Sequence, residues 1–191
     1  MTLRCAESSL TYWGDENGWY YETFPLDVPT DGFGAHGRFL ETWRRRCRGD
    51  LLPAWRDFDP IADFRDWYGW FNVKDVVSTR PYESRFRLFG TMVCQMYGAD
   101  YTGKLMSEVP GFFSKTEVQL AQEMIEKRLL ARSTGPVRWN RRDWVTVSVL
   151  ELPLADNGRD VDRIISHIFE PEHRVAVPDA FCHDLYDKGV L

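Results

Sequence analysis

The apolar positions divide the chain into helical and strand-like stretches. His36–Arg48 predicts a helix: His36, Phe39, Leu40, Trp43 and Cys47 fall on one face, and Arg38, Arg44, Arg45 and Arg48 on the others. Asp59-Pro60 reads as an N-cap followed by proline at the first helical position, opening a short turn through Phe64. Trp67–Val77 is aromatic and β-branched, and Ser84–Thr91 alternates Phe86 and Leu88 against Arg85 and Arg87, so both are expected strands. Met92–Tyr97 is a short helical stretch between glycines. Ser114-Lys-Thr-Glu117 is a capping box opening the longest helix, with Val118, Ala121, Met124, Ile125 and Leu129 as its stripe and Gly135-Pro136 as its end. Three strands follow: Val137–Arg141, Trp144–Leu152 and, after the Asp156-Asn157-Gly158 turn, Arg163–Phe169. Apolar residues on both sides of Trp144–Leu152 leave its facing open.

Two strands, a helical insertion and three strands, with no βαβ alternation, predict an α+β protein with an antiparallel sheet. The 191 residues suit one domain and can bury a full core without staples. Aromatics reach 15%, which excludes a disordered chain and points to a large core, an aromatic pocket or an interface. Many of these rings crowd residues 1–35, an acidic arm with Gly and Pro and no sustained period. It is expected to pack on its own body or a partner subunit. That arm holds one base and six acids, leaving 23 bases and 23 acids after it. A neutral body argues against nucleic-acid binding by bulk phosphate attraction. The densest basic run, Arg44-Arg45-Arg46 with Arg48, is a solvated helix face or a dock for the acidic arm.

Little in the sequence carries catalytic chemistry. Cys5, Cys47, Cys94 and Cys182 lack zinc or redox spacing. His167-x-x-Glu170-x-x-His173 has metal-binding residue types, but a strand running into Pro171 makes them diverge, so no metal site is expected. His36 and His167 are the candidates for a haem ligand, with core histidine as the plainer reading. Cys182-His183-Asp184 lies on a tail where adjacent side chains point apart. Asp57, Asp59, Asp63 and Asp66 sit where caps and turns are expected. With no apolar leader and no long apolar run, the expectation is a cytoplasmic protein without membrane contact.

The element order resembles the PAS fold, and local residues resemble a compact bacterial PAS-like family common in alphaproteobacteria. The residues concerned are Trp43, Arg48-Gly49, Pro53 and Arg56-Asp57-Phe58-Asp59-Pro60; Arg85-Phe86-Arg87-Leu88-Phe89-Gly90-Thr91; Gly98-Ala99-Asp100-Tyr101-Thr102-Gly103-Lys104; and Leu152-Pro153-Leu154 before Gly158. The resemblance implies a five-stranded antiparallel sheet with a helical cluster on one face and an N-terminal helix. It divides the chain into the arm 1–35, a PAS-like domain 36–170 and a tail 171–191. It further implies a sensory or regulatory module, without catalytic residues, that dimerises and holds a small molecule or a protein partner. With only 22 residues after Phe169, an effector would be a separate polypeptide. Trp70, Tyr97, Trp139 and His167 lie on elements that border the cavity of such a fold and are the expected ligand-binding residues. No cofactor can be named. No cysteine sits in the Asn-Cys-Arg context of light-sensing PAS domains. The alternatives are a small cone-fold isomerase or hydrolase of the nuclear-transport-factor kind and a ligand-free adaptor.

Overall fold

The computed structural model describes residues 12–14, 18–109, 114–137 and 142–170. One antiparallel sheet organises them, with strands β1 (Tyr12–Gly14), β2 (Tyr20–Phe24), β3 (Phe71–Thr79), β4 (Tyr82–Phe89), β5 (Leu130–Val137), β6 (Arg142–Leu154) and β7 (Arg163–Phe169). Its order is β1-β2-β5-β6-β7-β3-β4, so the first strand of the anticipated pair, β3, lies between its partner β4 and the last strand β7. The sheet has seven strands rather than the expected five. The two extra strands come from the N-terminal arm. Tyr20–Phe24 pairs antiparallel with Leu130–Thr134 and covers what would otherwise be the open edge of β5.

Side-chain alternation splits the core in two. One face packs under helices α3 (Thr91–Tyr97) and α4 (Lys115–Lys127), with Phe86, Phe89, Val93, Met96, Leu120, Met124, Val147 and Ile164 buried there. We call it the helical-cluster face. The other, the N-terminal face, packs under α1 (Gly37–Arg44), α2 (Pro60–Asp63) and 3-10 turns over residues 31–36, 55–57 and 65–67. Phe39, Leu40, Trp43, Phe58, Phe64, Val73, Leu150, Leu152 and Ile165 are buried on it. β6 is the clearest case: Ser148, Leu150 and Leu152 turn to the N-terminal face and Val147 and Glu151 to the other, which settles the facing left open by sequence.

The helix starts follow the sequence signals. Ser114 Oγ accepts from Glu117 N at 3.0 Å. Asp59 Oδ1 accepts from the amides of Ile61 at 2.9 Å and Ala62 at 3.2 Å. The end of α4 differs from expectation. Arg128 takes a left-handed conformation, φ 54°, and closes the helix, and residues 130–137 become a strand held between β2 and β6. Pairing on both sides outweighs the helical tendency of Leu129 and its neighbours. Within β5, Gly135 lets the Trp19 ring lie on the sheet, since a Cβ there would stand 2.4 Å from it.

The basic run shows parts of both expected readings: Arg45, Arg46 and Arg48 are exposed, and Arg44 reaches the arm. The run's partners are Asp63 for Arg46 and Asp57 for Arg48, while Arg44 donates to the backbone carbonyls of Leu26 and Val28. The arm's carboxylate Glu22 pairs with Arg132 on β5, so the contact of the arm with the basic run is through backbone carbonyls. Asp57, Asp59 and Asp63 accept from backbone amides, as cap residues do, and Asp66 pairs with Arg38. Among the described residues no helix is long and apolar enough to cross a membrane.

Candidate functional site

Strand register builds a groove on the N-terminal face. Tyr20 pairs with Thr134, Thr134 with Ser148, and Ser148 with Phe169, so these four form one lateral row across β2, β5, β6 and β7. The next row holds Glu22, Arg132, Leu150 and His167. The 3-10 turn over residues 31–36 lies over both rows and contributes Gly32, Phe33, Gly34 and His36. Between them is an open cavity of about 300 Å³, the lower end of the size range of small-molecule sites.

A chain of polar groups runs from this groove into the core. Thr134 Oγ1 lies 3.3 Å from Ser148 Oγ, which lies 3.0 Å from His36 Nε2. His36 Nδ1 lies 2.8 Å from His167 Nδ1. The imidazoles are 1% and 3% exposed. His167 stacks on Phe39 at 4.7 Å between ring centroids, and Phe169 meets the edge of His36 at 4.6 Å. Burial, aided by His167 and Arg132, holds His36 well below the ordinary histidine pKa. Burial alone brings His167 down to about 4. Both rings are therefore neutral near pH 7. A bond between two Nδ1 atoms needs a proton on only one of them. His36 then either accepts from Ser148 or donates to it, and the chain has two directions that reverse together.

The charged groups at the groove are satisfied. Arg132 donates to both oxygens of Glu22, at 2.5 and 2.8 Å, and to the Gly32 carbonyl at 3.3 Å. Its guanidinium also lies over the rings of Phe24 and Phe33, 5.2 and 5.3 Å from their centroids.

Ser148, His36 and His167 have the order of a nucleophile, a base and an orienting group. The electrostatics oppose that use. Burial, His167 and Arg132 all weaken His36 as a base, and an imidazole lacks the negative charge with which a carboxylate stabilises an imidazolium. The chain is suited to passing hydrogen bonds rather than to holding a serine's proton.

Of the four residues expected to line a ligand site, the three that are described fall on two faces of the sheet. Tyr97 is buried on the helical-cluster face, edge-on to Phe89, and Trp70 packs at the border of the same cluster. His167 lies on the opposite face, and Trp139 lies outside the described residues. His36 and His167, raised as haem ligands, bond each other. Among the described residues no three His, Cys, Asp or Glu side chains gather as a metal site. His173 and the Cys182-His183-Asp184 run lie outside them. Burial raises Cys47 to about 11, which keeps its thiol protonated and unreactive.

The helical-cluster face has its own buried polar group. Lys74 Nζ bonds Glu151 Oε1, and Ser166 Oγ donates to the same oxygen at 3.3 Å. Burial alone would lower the Lys74 pKa, but Glu151 overrides it and holds the ammonium above its usual value.

Sequence reading missed Tyr20, Glu22, Phe33, Arg132, Thr134 and Ser148. The available signal was the alternation of Tyr20, Glu22 and Phe24, with Tyr21 and Thr23 between them, inside an arm dominated by Gly and Pro.

Residues 34–169 match the family model of the PAS domain, and the chain belongs to that family. This agrees with the position of β3 beside β7 and with the α+β architecture, and it makes the chain a member of a class of sensory and regulatory modules. No curated protein and no solved structure matches it. The family match begins at residue 34, so Tyr20, Glu22, Gly32 and Phe33 belong to this chain's extension beyond the matched stretch.

Proposed function

We propose that the chain is a PAS sensory or regulatory module whose response passes through the N-terminal cover, residues 20–67. In this reading it works as a homodimer, holds a small molecule or a protein partner, and hands its state to a second copy or a separate effector protein. One observation carries the reading. The start of α1 is tied to central strands β6 and β7 through the buried bonds of His36 to Ser148 and His167. Apolar packing would hold a static cover more cheaply, because buried polar groups cost free energy unless every bond is made. Such a joint is sensitive to small changes on the sheet, which a signalling contact requires.

Hydrogen exchange on the full chain tests this. Ser148→Ala removes one bond of the joint and little volume. Amides of residues 37–44 should then exchange at least tenfold faster, while those of 115–127 stay unchanged. Equal acceleration in both helices, or none in either, would contradict the reading.

A further inference from the structure

We propose that the groove on the N-terminal face binds a small, uncharged, planar heteroaromatic molecule whose hydrogen-bonding edge meets the Thr134–Ser148 end of the histidine chain. This site lies across the sheet from the space under α3 and α4. It rests on the reading of the N-terminal cover as the responsive element.

Three features define the occupant. The first is shape. Tyr20, Phe33 and Phe169 line the groove, and three rings around about 300 Å³ favour a flat aromatic body of modest size. The second is charge. Glu22 and Arg132 satisfy each other in a two-point ion pair, and the Gly32 carbonyl takes a further guanidinium donor. His36 is neutral. A charged ligand would lose hydration here without finding a free counter-charge. The third is the polar edge. Thr134 and Ser148 stand side by side in the floor row, and behind them the chain reaches His167 in the core. A ligand donor at this edge favours the direction in which the hydroxyls accept, and a ligand acceptor favours the other. Binding therefore fixes the tautomers of His36 and His167 beneath α1, which couples occupancy to the cover.

The groove is completed by β2 and the start of the 31–36 turn, which precede the stretch matched by the family. Tyr20, Glu22, Gly32 and Phe33 supply one wall, and without Glu22 the Arg132 guanidinium would stand as an unmatched charge at the floor.

The test uses the full-length protein with benzimidazole as probe, neutral and able both to donate and to accept, and 2-naphthoate as its charged counterpart. Side-chain nitrogen shifts of His36 and His167 are followed by NMR near neutral pH. Benzimidazole should shift both rings saturably, with a dissociation constant on the order of 0.1–1 mM, and 2-naphthoate should bind at least tenfold more weakly. Thr134→Val, close in shape and lacking the hydroxyl, should weaken benzimidazole binding at least tenfold. Gly32→Leu tests the site without touching the polar chain, since an added Cβ there meets nothing within 4 Å. It should block binding while leaving the fold's amide spectrum intact. Absence of saturable shifts up to about 10 mM, undiminished binding in both variants, equal affinity for 2-naphthoate, or shifts confined to the face around Phe89 and Tyr97 would each overturn the site. Failure here is distinct from failure of the signalling reading, which is scored by hydrogen exchange in Ser148→Ala without any ligand.

Discussion

The two faces of the sheet bury polar groups in different ways. On the helical-cluster face Lys74 and Glu151 are charged, paired and enclosed. On the N-terminal face His36 and His167 are neutral, and their chain continues to hydroxyls at an open groove. Adjacent residues on the same strands build both arrangements: Glu151 follows Leu150, and Ser166 precedes His167. An enclosed charge needs a fixed opposite charge, so the first arrangement has one stable state. A neutral chain needs only consistent proton positions, so the second has two. The arrangement able to respond is thus the hydrogen-bonded chain that carries no charge, even though the Glu22–Arg132 pair lies beside it. Four measurements can break or sharpen this contrast, beginning with the largest effect.

Trp43 anchors the N-terminal cover. It is fully buried, and its indole N–H donates to the Pro153 carbonyl at 3.0 Å. Trp43→Ala should cost about 3–5 kcal/mol, toward the upper end because a buried acceptor is also left bare. Denaturant melts measure it. A loss below about 1 kcal/mol would mean that the cover is loosely attached and the two-face description fails.

The ion pair comes next. Lys74→Met removes the counter-charge of buried Glu151, leaving it the Ser166 hydroxyl bond, and should cost about 3–5 kcal/mol. Adding Glu151→Leu should recover most of that, because two apolar residues replace two buried charges at similar volume. If the double variant is no more stable than the single one, the pair is contributing more than mutual neutralisation, and the helical-cluster face would also be polar by design.

The histidines respond to pH in the opposite sense to Lys74, whose raised pKa makes its contribution fade only as pH rises. Both have folded-state pKa values below the unfolded value near 6.5, His167 at about 4. Between those values the unfolded chain takes up protons that the folded chain refuses, so stability is full above pH 6.5 and falls as pH drops toward 4. The His167 shift alone corresponds to about 3 kcal/mol, and His36 adds in the same direction. Urea melts across this range should show the loss, and His167→Phe, which keeps the ring stack with Phe39, should flatten it. An unchanged slope in that variant would place the acid sensitivity elsewhere.

Much of the fold could be read from sequence because local signals and tertiary structure agreed. The Ser114 and Asp59 caps, the Asp156-Asn157-Gly158 turn and the alternation in Ser84–Thr91 each specify structure within a few residues. The α4–β5 boundary could not be read that way, since residues 130–137 are a strand only because β2 and β6 flank them. The groove was illegible for the same reason. Tyr20, Thr134, Ser148 and Phe169 are far apart in the chain and meet through register, which depends on which strands pair. His167 can be placed on a strand bordering the cavity from sequence, but its face depends on the one-residue alternation of β7, which sets it against Phe39 and His36. His36 looked like the first residue of a helix stripe, and only the fold puts an imidazole opposite it.

The smallest effect compares two helix caps, one on each cover. Asp59 caps the single turn α2 on the N-terminal face, and Ser114 caps α4 on the other. Asp59→Ala and Ser114→Ala should each cost about 1 kcal/mol, so global stability will not separate them. Their reach should. Asp63, the last residue of α2, holds Arg46 just beyond α1 with two bonds of 2.6 and 2.7 Å, so loosening α2 is passed to the helix that starts beside His36. Asp59→Ala should therefore move the side-chain nitrogen signals of His36 and His167. Ser114→Ala should leave them still, because α4 reaches those rings only through the sheet. NMR of the two variants under identical conditions decides the matter. If Ser114→Ala moves the histidine signals as much, strain crosses the sheet freely and the two faces form one responsive unit. If neither moves them, α2 is local trim, and the joint at His36 takes its sensitivity from the groove side alone.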